Sequence, residues 1–481
     1  MGCAGLPPLE GRQATTAFTD TGATPLGRAI QPRVAEHPAK TGIHALRLPT
    51  DAFAARVLLA RQARRSLDLQ YYIWHGDETG TLLFEALWDA AERGVRVRLL
   101  LDDNGIAGLD RTLAALDAHP NIEVRLYNPF ANRGMRALNF VTDFSRLNRR
   151  MHNKSFTADN QASIVGGRNV GNEYFGAGEG TVFQDLDVLA VGPAVREVSA
   201  AFDLYWNSAS AYPAEGIVGA AGADARTLLE AKFAAAHASP AAQAYLTALR
   251  ETPLVGELLE GRLPLEWGDA QLVYDDPHKT LDTGEQTDLL LLPKLLRLLG
   301  TPREDLEMVS PYFVPGEDGS RALAGLARRG VKVRILTNSL AASDVAAVHA
   351  GYAKRRADLL RAGVRLFELK PTAAREETQD KKTFGGSSAA SLHAKTFAVD
   401  RERGFVGSFN FDQRSARLNT EMGLVIRSPV LAQRIVATFD TEVPLLAYEV
   451  HLADDGSLYW IERTSSGEKR YDSEPGVGPL K

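Results

Sequence analysis

The feature that most limits what this chain can fold into is an internal duplication. RRMHNKSFTAD (149–159) carries His152, Lys154 and Asp159, and SLHAKTFAVD (391–400) carries His393, Lys395 and Asp400, at a constant offset of 241 residues (393 − 152). Further upstream, RGVRVRLLLD and RGVKVRILTN repeat at an offset of 236 (330 − 94, counted between Gly330 and Gly94). A five-residue insertion accounts for the difference. Downstream, each motif runs into a second apolar stretch, SIVGGRN (163–169) or GFVGSFN (404–410). Self-similarity kept in this order means two copies of one structural plan. At 481 residues the chain is too long for one ordinary core and suits two or three domains.

The copies share an element order. SLDLQYYIWHGDETG reads as strand and turn, TLLFEALWDAAERG as an amphipathic helix closed by Gly94, and VRVRLLLDDNG as a strand. DLEMVSPYFVPGEDG, SRALAGLARRG and VKVRILTNS repeat this, with Gly330 closing the helix. A helix, a short strand and the His-x-Lys segment follow in each half. Strands alternating with helices make the chain α/β. Residues 1–40, rich in Pro, Gly, Thr and Ala, read as a tether or linker. The first half spans 41–215 and the second 281–450. Between them, 216–280 reads as a connector, helical at Ala225–Ala236 and Ala241–Arg250. A tail at 451–481 reads as a β-hairpin, with turns at Asp455-Gly456 and Ser466-Gly467.

The repeated motif carries chemistry. Residues i and i+2 of a strand face one side, so His152 points with Lys154 and His393 with Lys395. The glycines that follow allow close backbone approach, and Asn169 and Asn410 can donate hydrogen bonds to an anion. Two copies related by a pseudo-twofold axis bring two His, two Lys and two Asn together. That set suits a phosphodiester. Lys and Asn neutralise the phosphoryl oxygens, one neutral imidazole attacks phosphorus, and the other, protonated, donates to the leaving alkoxide. Histidine alone has a pKa that permits both states near neutrality. No His/Cys/Asp set at metal-ligand spacing is apparent, and two lysines can do a metal's charge work, so neither metal nor cofactor is expected. A single His-x-Lys pair would more often be a solvated strand edge; two copies with the same Gly-x-x-Asn continuation are read as an active site.

His-x-Lys-x(4)-Asp-x(6)-Gly-(Gly/Ser)-x-Asn, present twice, resembles the signature of the phospholipase D superfamily. The resemblance runs from about residue 45 to 450. It implies two α/β/α-sandwich halves related by a pseudo-twofold axis, with the site at their interface and a ping-pong phosphatidyl transfer that needs no metal. It also implies a carboxylate from the opposite half on each catalytic His. The matching positions are Glu421, paired with His152, and Asp185, paired with His393; each lies eight residues before a proline, Pro429 or Pro193. Asp187 is the rival for Asp185. Asp159 and Asp400 belong to the catalytic motif but look like braces of the fold. Gly167 stands where the second copy has Ser408, so one side lacks a hydroxyl; Ser408 joins Asn169 and Asn410 as a phosphate-binding residue.

RLNRRMHNKSFTAD, IVGGRNVGNEYF, VSPYFVPGEDG, VHAGYAKRR and GSFNFDQRSARLNTEMG are similar to the bacterial cardiolipin synthase C group. That implies transfer of a phosphatidyl group to the free glycerol hydroxyl of phosphatidylglycerol, from a second phosphatidylglycerol or from phosphatidylethanolamine, giving cardiolipin. A phospholipase D-type hydrolase of phospholipids is the alternative. Family precedent makes His152 the nucleophile and His393 the acid and base.

The remaining features concern location. A net charge of −5 and a pI near 6.1 argue against a nucleic-acid partner. No apolar run is long enough to span a membrane. Cys3, the only cysteine, follows a small residue, and GCAGLPP resembles the start of a mature bacterial lipoprotein; an incidental Cys at a frayed terminus is the other reading. RGMRALNFVTDFSRLNRRMH (133–152) spaces Phe140, Phe144 and Leu147 along one helical face with arginines around them. It is expected either to lie on an anionic bilayer or to pack on the core with its arginines solvated. His349, Tyr352 and His75 read as headgroup contacts or as exposed side chains. Asp102, Asp103 and Asn338 end the repeated strands, where they either line the cleft or only terminate a strand and cap the next element; they are read as terminators and left outside the site.

Overall fold

The chain folds around one continuous sheet in which each half contributes the same run of strands. The computed structural model describes residues 5–9, 12–176, 182–281, 287–343, 346–371, 390–464 and 467–476. In the first half the strands are β1 (Thr41–Leu46), β2 (Ser66–Ile73), β3 (Arg96–Gly105), β4 (Ile122–Tyr127), β5 (Ser155–Ala158), β6 (Ala162–Gly166), β7 (Val182–Gln184), β8 (Asp187–Val191) and β9 (Ala211–Pro213). The second half has β10 (Glu266–Tyr274), β11 (Asp305–Val309), β12 (Lys332–Asn338), β13 (Arg365–Leu369), β14 (Ala390–Leu392), β15 (Lys395–Val399), β16 (Arg403–Gly407), β17 (Met422–Arg427) and β18 (Ala447–Leu452). A meander, β19 (Leu458–Thr464) and β20 (Gly467–Tyr471), extends its edge.

Pairing runs β9-β4-β3-β2-β5-β6-β8-β1, then β10-β17-β16-β15-β11-β12-β13-β18. β1 and β10 pair antiparallel and join the two series into one sheet. The second series is the first read outward from that junction, as a pseudo-twofold axis requires. β2-β3-β4 and β11-β12-β13 are parallel, which demands crossover helices such as Glu78–Glu92 and Gly316–Arg328.

Alternation along the central strands sorts side chains between layers. Leu67, Leu69 and Tyr71 of β2 join a core with Phe53, Leu83 and Leu87 under the outer helices. Leu306 and Met308 of β11 do the same with Leu295, Leu323 and Ile335. The residues between them, Asp68, Gln70 and Glu307, are polar or charged and buried. Arg98 Nε donates to Asp68 at 2.6 Å, and 236 residues on, Arg334 Nε donates to Glu307 at 2.8 Å. A third core, mixing Val165, Val188 and Val198 with Leu336, Val406 and Leu424, seals the contact between the halves.

Four expectations change. The N-terminal stretch is not a loose tether from Arg12 onward. Arg12 donates to the carbonyls of Ser208 and Ala211, the Thr15 carbonyl accepts from Arg98, Phe18 lies under the guanidinium of Arg96, and the helix Pro25–Glu36 buries Leu26 and Ile30. Within 216–280, the helices Ala225–Ala238, Pro240–Glu251 and Leu254–Leu259 give way to β10, the counterpart of β1, so the connector stops before Glu266. His349 and Tyr352 are buried, with Glu474 accepting from both His349 and Arg356. His152 and His393 precede their strands, which begin at Ser155 and Lys395. The Asp455-Gly456 turn forms, with Gly456 at φ +83. Cys3 and Ser466 lie outside the described residues.

Candidate active site

The motif aspartates hold strands together. Asp159, in a left-handed turn (φ +50) after β5, accepts the amides of Arg64, Arg65 and Ser66 where β2 begins. Asp400 (φ +52) accepts those of Arg303, Glu304 and Asp305 where β11 begins. Both carboxylates are therefore occupied by backbone amides at the strand ends, not gathered with the histidines.

The histidines are placed by a second repeated device. Asp102, three residues before the end of β3, accepts the Met151 amide at 2.8 Å and pairs with the buried Arg150. Asn338, at the end of β12, accepts the Leu392 amide at 2.8 Å and donates back to the Leu392 carbonyl. Each histidine follows directly and crosses to the other half. The His152 amide donates to the Thr420 carbonyl, and the His393 amide to the Gln184 carbonyl through the parallel pair β7–β14. The next residues on those partner strands are Glu421 and Asp185. His152 Nδ1 lies 2.8 Å from Glu421 Oε2, and His393 Nδ1 lies 2.5 Å from Asp185 Oδ2. With Nδ1 on a carboxylate, the nitrogen of each ring that can serve as nucleophile or base is Nε2. Tyr72 packs edge-on against His152 and Tyr174 against His393. Asp187, the rival for Asp185, pairs with Arg56 and Arg168 in the core instead.

Lys154 and Lys395 are buried with the imidazoles, each ammonium donating to the carbonyl of its own histidine. Burial, then the positive field of Lys154, Lys395 and Arg414, holds the His152 pKa well below the ordinary value. Burial and Lys395 bring His393 down to about 4 against the pull of Asp185. Both shifts favour the neutral imidazole, and a neutral ring with its proton on Nδ1 can donate it to the carboxylate. The carboxylates differ. Burial raises Asp185, but His393, Lys395 and Arg168 outweigh it and hold the group well below the usual range. Burial dominates at Glu421 and pushes it up to about 7 against Lys154 and the Ser408 hydroxyl.

Ser408 requires a correction: its hydroxyl donates to Glu421 Oε2 at 2.5 Å and accepts the Met422 amide, so it braces a carboxylate and does not face a phosphate. Gly167 has a steric cause, since a Cβ there would meet Asp185 Oδ1 at 2.3 Å. Asn169 accepts the Ile73 amide through Oδ1, and its Nδ2 is buried with no protein partner. Asn410 is likewise buried, with Oδ1 unpartnered. Behind Glu421, Asp275 accepts its backbone amide at 2.8 Å and pairs with the buried Lys279. Sequence reasoning weighed Asp102 and Asn338 as cleft residues but left them out of the site, and it missed Asp275, Tyr72 and Tyr174. The shared offset of 236 at Asp102 and Asn338 was the signal available. Among the described residues, His75, Asp77 and Glu173 bring ligand-type atoms within 4.8 Å of one another, at a half-exposed turn where Asp77 already caps a helix.

Two α/β/α halves that exchange carboxylates across a pair of His-x-Lys motifs define a phospholipase D-type protein, and the chain belongs to that superfamily. The family model described as "Cardiolipin synthase, PLD-like domain" matches it twice, over residues 58–206 and 295–443. Cardiolipin synthase C of Escherichia coli is 48% identical over 94% of this chain and 95% of its own. The major cardiolipin synthase ClsA of Bacillus subtilis is 26% identical over 79% of this chain and 64% of its own. A solved phosphatidylserine synthase of Haemophilus influenzae superposes with a TM-score of 0.56 at 15% identity, over 88% of this chain and 92% of that one, a likeness of fold.

Proposed function

We propose that the protein is a phosphatidyltransferase that makes cardiolipin at a membrane surface, through a phospho-histidine intermediate. Its substrates are phosphatidylglycerol and a second phosphatidylglycerol or phosphatidylethanolamine. The observation that carries this reading is the crossed pairing of His152 with Glu421 and His393 with Asp185, beside two buried lysines. A phosphodiester entering this pocket replaces lost solvation with negative charge, which raises both imidazole pKa values and favours one proton on Nε2 of His393. Asp185, anionic and bonded to Nδ1, stabilises that imidazolium. His152 Nε2 attacks phosphorus and the P–O bond to the headgroup breaks. The leaving alkoxide takes the His393 proton and departs as glycerol or ethanolamine. Lys154, Lys395 and the amides of Asn169 and Asn410 neutralise the phosphoryl oxygens as charge grows. The primary hydroxyl of the acceptor phosphatidylglycerol then gives its proton to His393 and attacks, and the N–P bond breaks. Cardiolipin leaves and both rings return to their starting state.

The test is incubation of the purified protein with labelled phosphatidylglycerol, with and without phosphatidylethanolamine. Labelled cardiolipin is expected. Phosphatidic acid as the sole product would sink the transferase reading in favour of hydrolysis. No helix among the described residues is long and apolar enough to cross a membrane, so the proposed attachment is peripheral. A lipid on Cys3 belongs to the same reading, and metabolic labelling with palmitate tests it.

A further inference from the structure

The segment ahead of His152 turns its arginines inward and its large apolar side chains outward. Arg133 chelates Asp103 and Asp110, Arg136 reaches Asp103, Arg146 pairs with Asp143, Arg149 donates to the Lys279 carbonyl, and Arg150 is buried on Asp102. Of the ten exposed large apolar residues among those described, four fall in ten consecutive positions: Met135 (57%), Phe140 (37%), Val141 (82%) and Phe144 (59%). The helices that carry the last three, Arg136–Thr142 and Phe144–Leu147, are too short to have been placed by their own propensity. They are held by the buried Asp103, whose carboxylate binds Arg133 and the Phe130 amide. Asp102, its neighbour, binds the approach to His152. The exposed cluster is thereby tied to the same strand end as the active site.

Beside the cluster, Arg133 and Arg136 line a cavity of about 500 Å³ together with Arg111 and Lys232. Arg111 pairs with Asp224. The four lining cations have three carboxylate partners, Asp110 in the lining and Asp103 and Asp224 behind it, and Lys232 makes no ion pair among the described residues. The surplus is one positive charge, the complement of one phosphodiester.

Building on the proposed lipid chemistry, we propose that this face docks on an anionic phospholipid bilayer. Met135, Phe140, Val141 and Phe144 enter the acyl boundary, and the Arg111/Lys232 cavity seats the phosphate of a non-reacting lipid headgroup. Apolar side chains beside a phosphate seat match the depth profile of a lipid leaflet, where acyl chains lie a few ångströms below the headgroups. A second copy of the chain or another protein would not require the phosphate seat. The docking is apolar-led, because the arginines once expected to meet the lipid are spent on carboxylates.

Binding, not turnover, tests it, so failure of the transferase reading would not affect the result. The full chain, the Val141→Ser/Phe144→Ser double variant and Lys232→Glu are sedimented with phosphatidylcholine vesicles containing or lacking 30% phosphatidylglycerol. Thermal unfolding and size-exclusion chromatography run alongside. The double variant is expected to unfold as the parent does and to lose about tenfold or more of its vesicle affinity on both compositions. Lys232→Glu is expected to bring affinity for the anionic vesicles down to that for phosphatidylcholine alone. Unchanged binding by the double variant would overturn the proposal. So would an association state that changes with the double variant while vesicle binding does not, which would make the face a protein contact. An anionic preference kept by Lys232→Glu would remove the phosphate seat.

Discussion

Asp102 and Asn338 occupy the same place in the two halves, 236 residues apart, and each accepts at 2.8 Å the amide of the residue before a catalytic-motif histidine. One is charged because its half has Arg150 to bind; the other is an amide because it must also donate to the Leu392 carbonyl. Replacing Asp102 by Ala leaves the buried Arg150 uncompensated and should cost about 3–5 kcal/mol. Asn338→Ala loses two buried hydrogen bonds and should cost about 1–3 kcal/mol. Denaturant midpoints measure both. Turnover should fall at least tenfold in Asn338→Ala even where it remains folded, since His393 loses its tether. Wild-type turnover in a folded Asn338→Ala would show that the amide only supports the strand.

The two carboxylates behind the histidines should respond to pH in opposite directions. The unfolded chain releases the Glu421 proton near pH 4.5 and the folded chain near 7, so folding takes up a proton between those values. Stability therefore falls as pH rises through that window, by up to about 3 kcal/mol. Asp185 is held below its unfolded value, so its contribution is present above pH 3.8 and is lost as pH falls through the folded value. At pH 8, Glu421→Gln should be as stable as the parent or more so, and Asp185→Asn less stable, while both lose activity. Urea titrations at pH 5 and pH 8 check this; a parallel response of the two variants would contradict the assigned burial and pairing.

Restoring the repeat at Gly167 should harm the enzyme. Gly167→Ser makes the first copy match the second in sequence, but its Cβ would fall 2.3 Å from Asp185 Oδ1. The expected outcome is displacement of Asp185 and at least a tenfold loss of turnover. Ser408→Ala removes one hydrogen bond from Glu421 and should reduce turnover less. Steady-state kinetics separate the two, and a Gly167→Ser enzyme faster than Ser408→Ala would contradict this account of the asymmetry.

Much of this was legible because duplication encodes it. The His-x-Lys pairs and their asparagines repeat at one offset of 241 residues, the crossed carboxylates each lie eight residues before Pro193 or Pro429, and a resemblance to the superfamily supplied the pairing. What escaped reading depends on contacts distant in sequence. The stretch from Arg12 to Phe18 looks like linker because its own composition is small and polar; it is fixed by Arg98, Arg96 and the carbonyls of Ser208 and Ala211. β10 was hidden because EWGDAQLVY places Gly268 and Asp269, poor strand formers, where β1 and β17 supply the pairing. His349 looked exposed because its partner, Glu474, lies 125 residues away. The arginines before His152 looked free because their partners Asp103, in β3, and Asp110, at the start of the next helix, lie more than twenty residues upstream.

The central claim is that one histidine carries the phosphatidyl group while the other moves the proton. His393→Ala, mixed with phosphatidylglycerol labelled at phosphorus, tests it directly. The variant retains the nucleophile and lacks the acid and base, so an acid-labile, alkali-stable label should accumulate slowly on the peptide containing His152 and be absent from His152→Ala/His393→Ala. No label on the protein, or a label that persists in the double variant, would contradict the account.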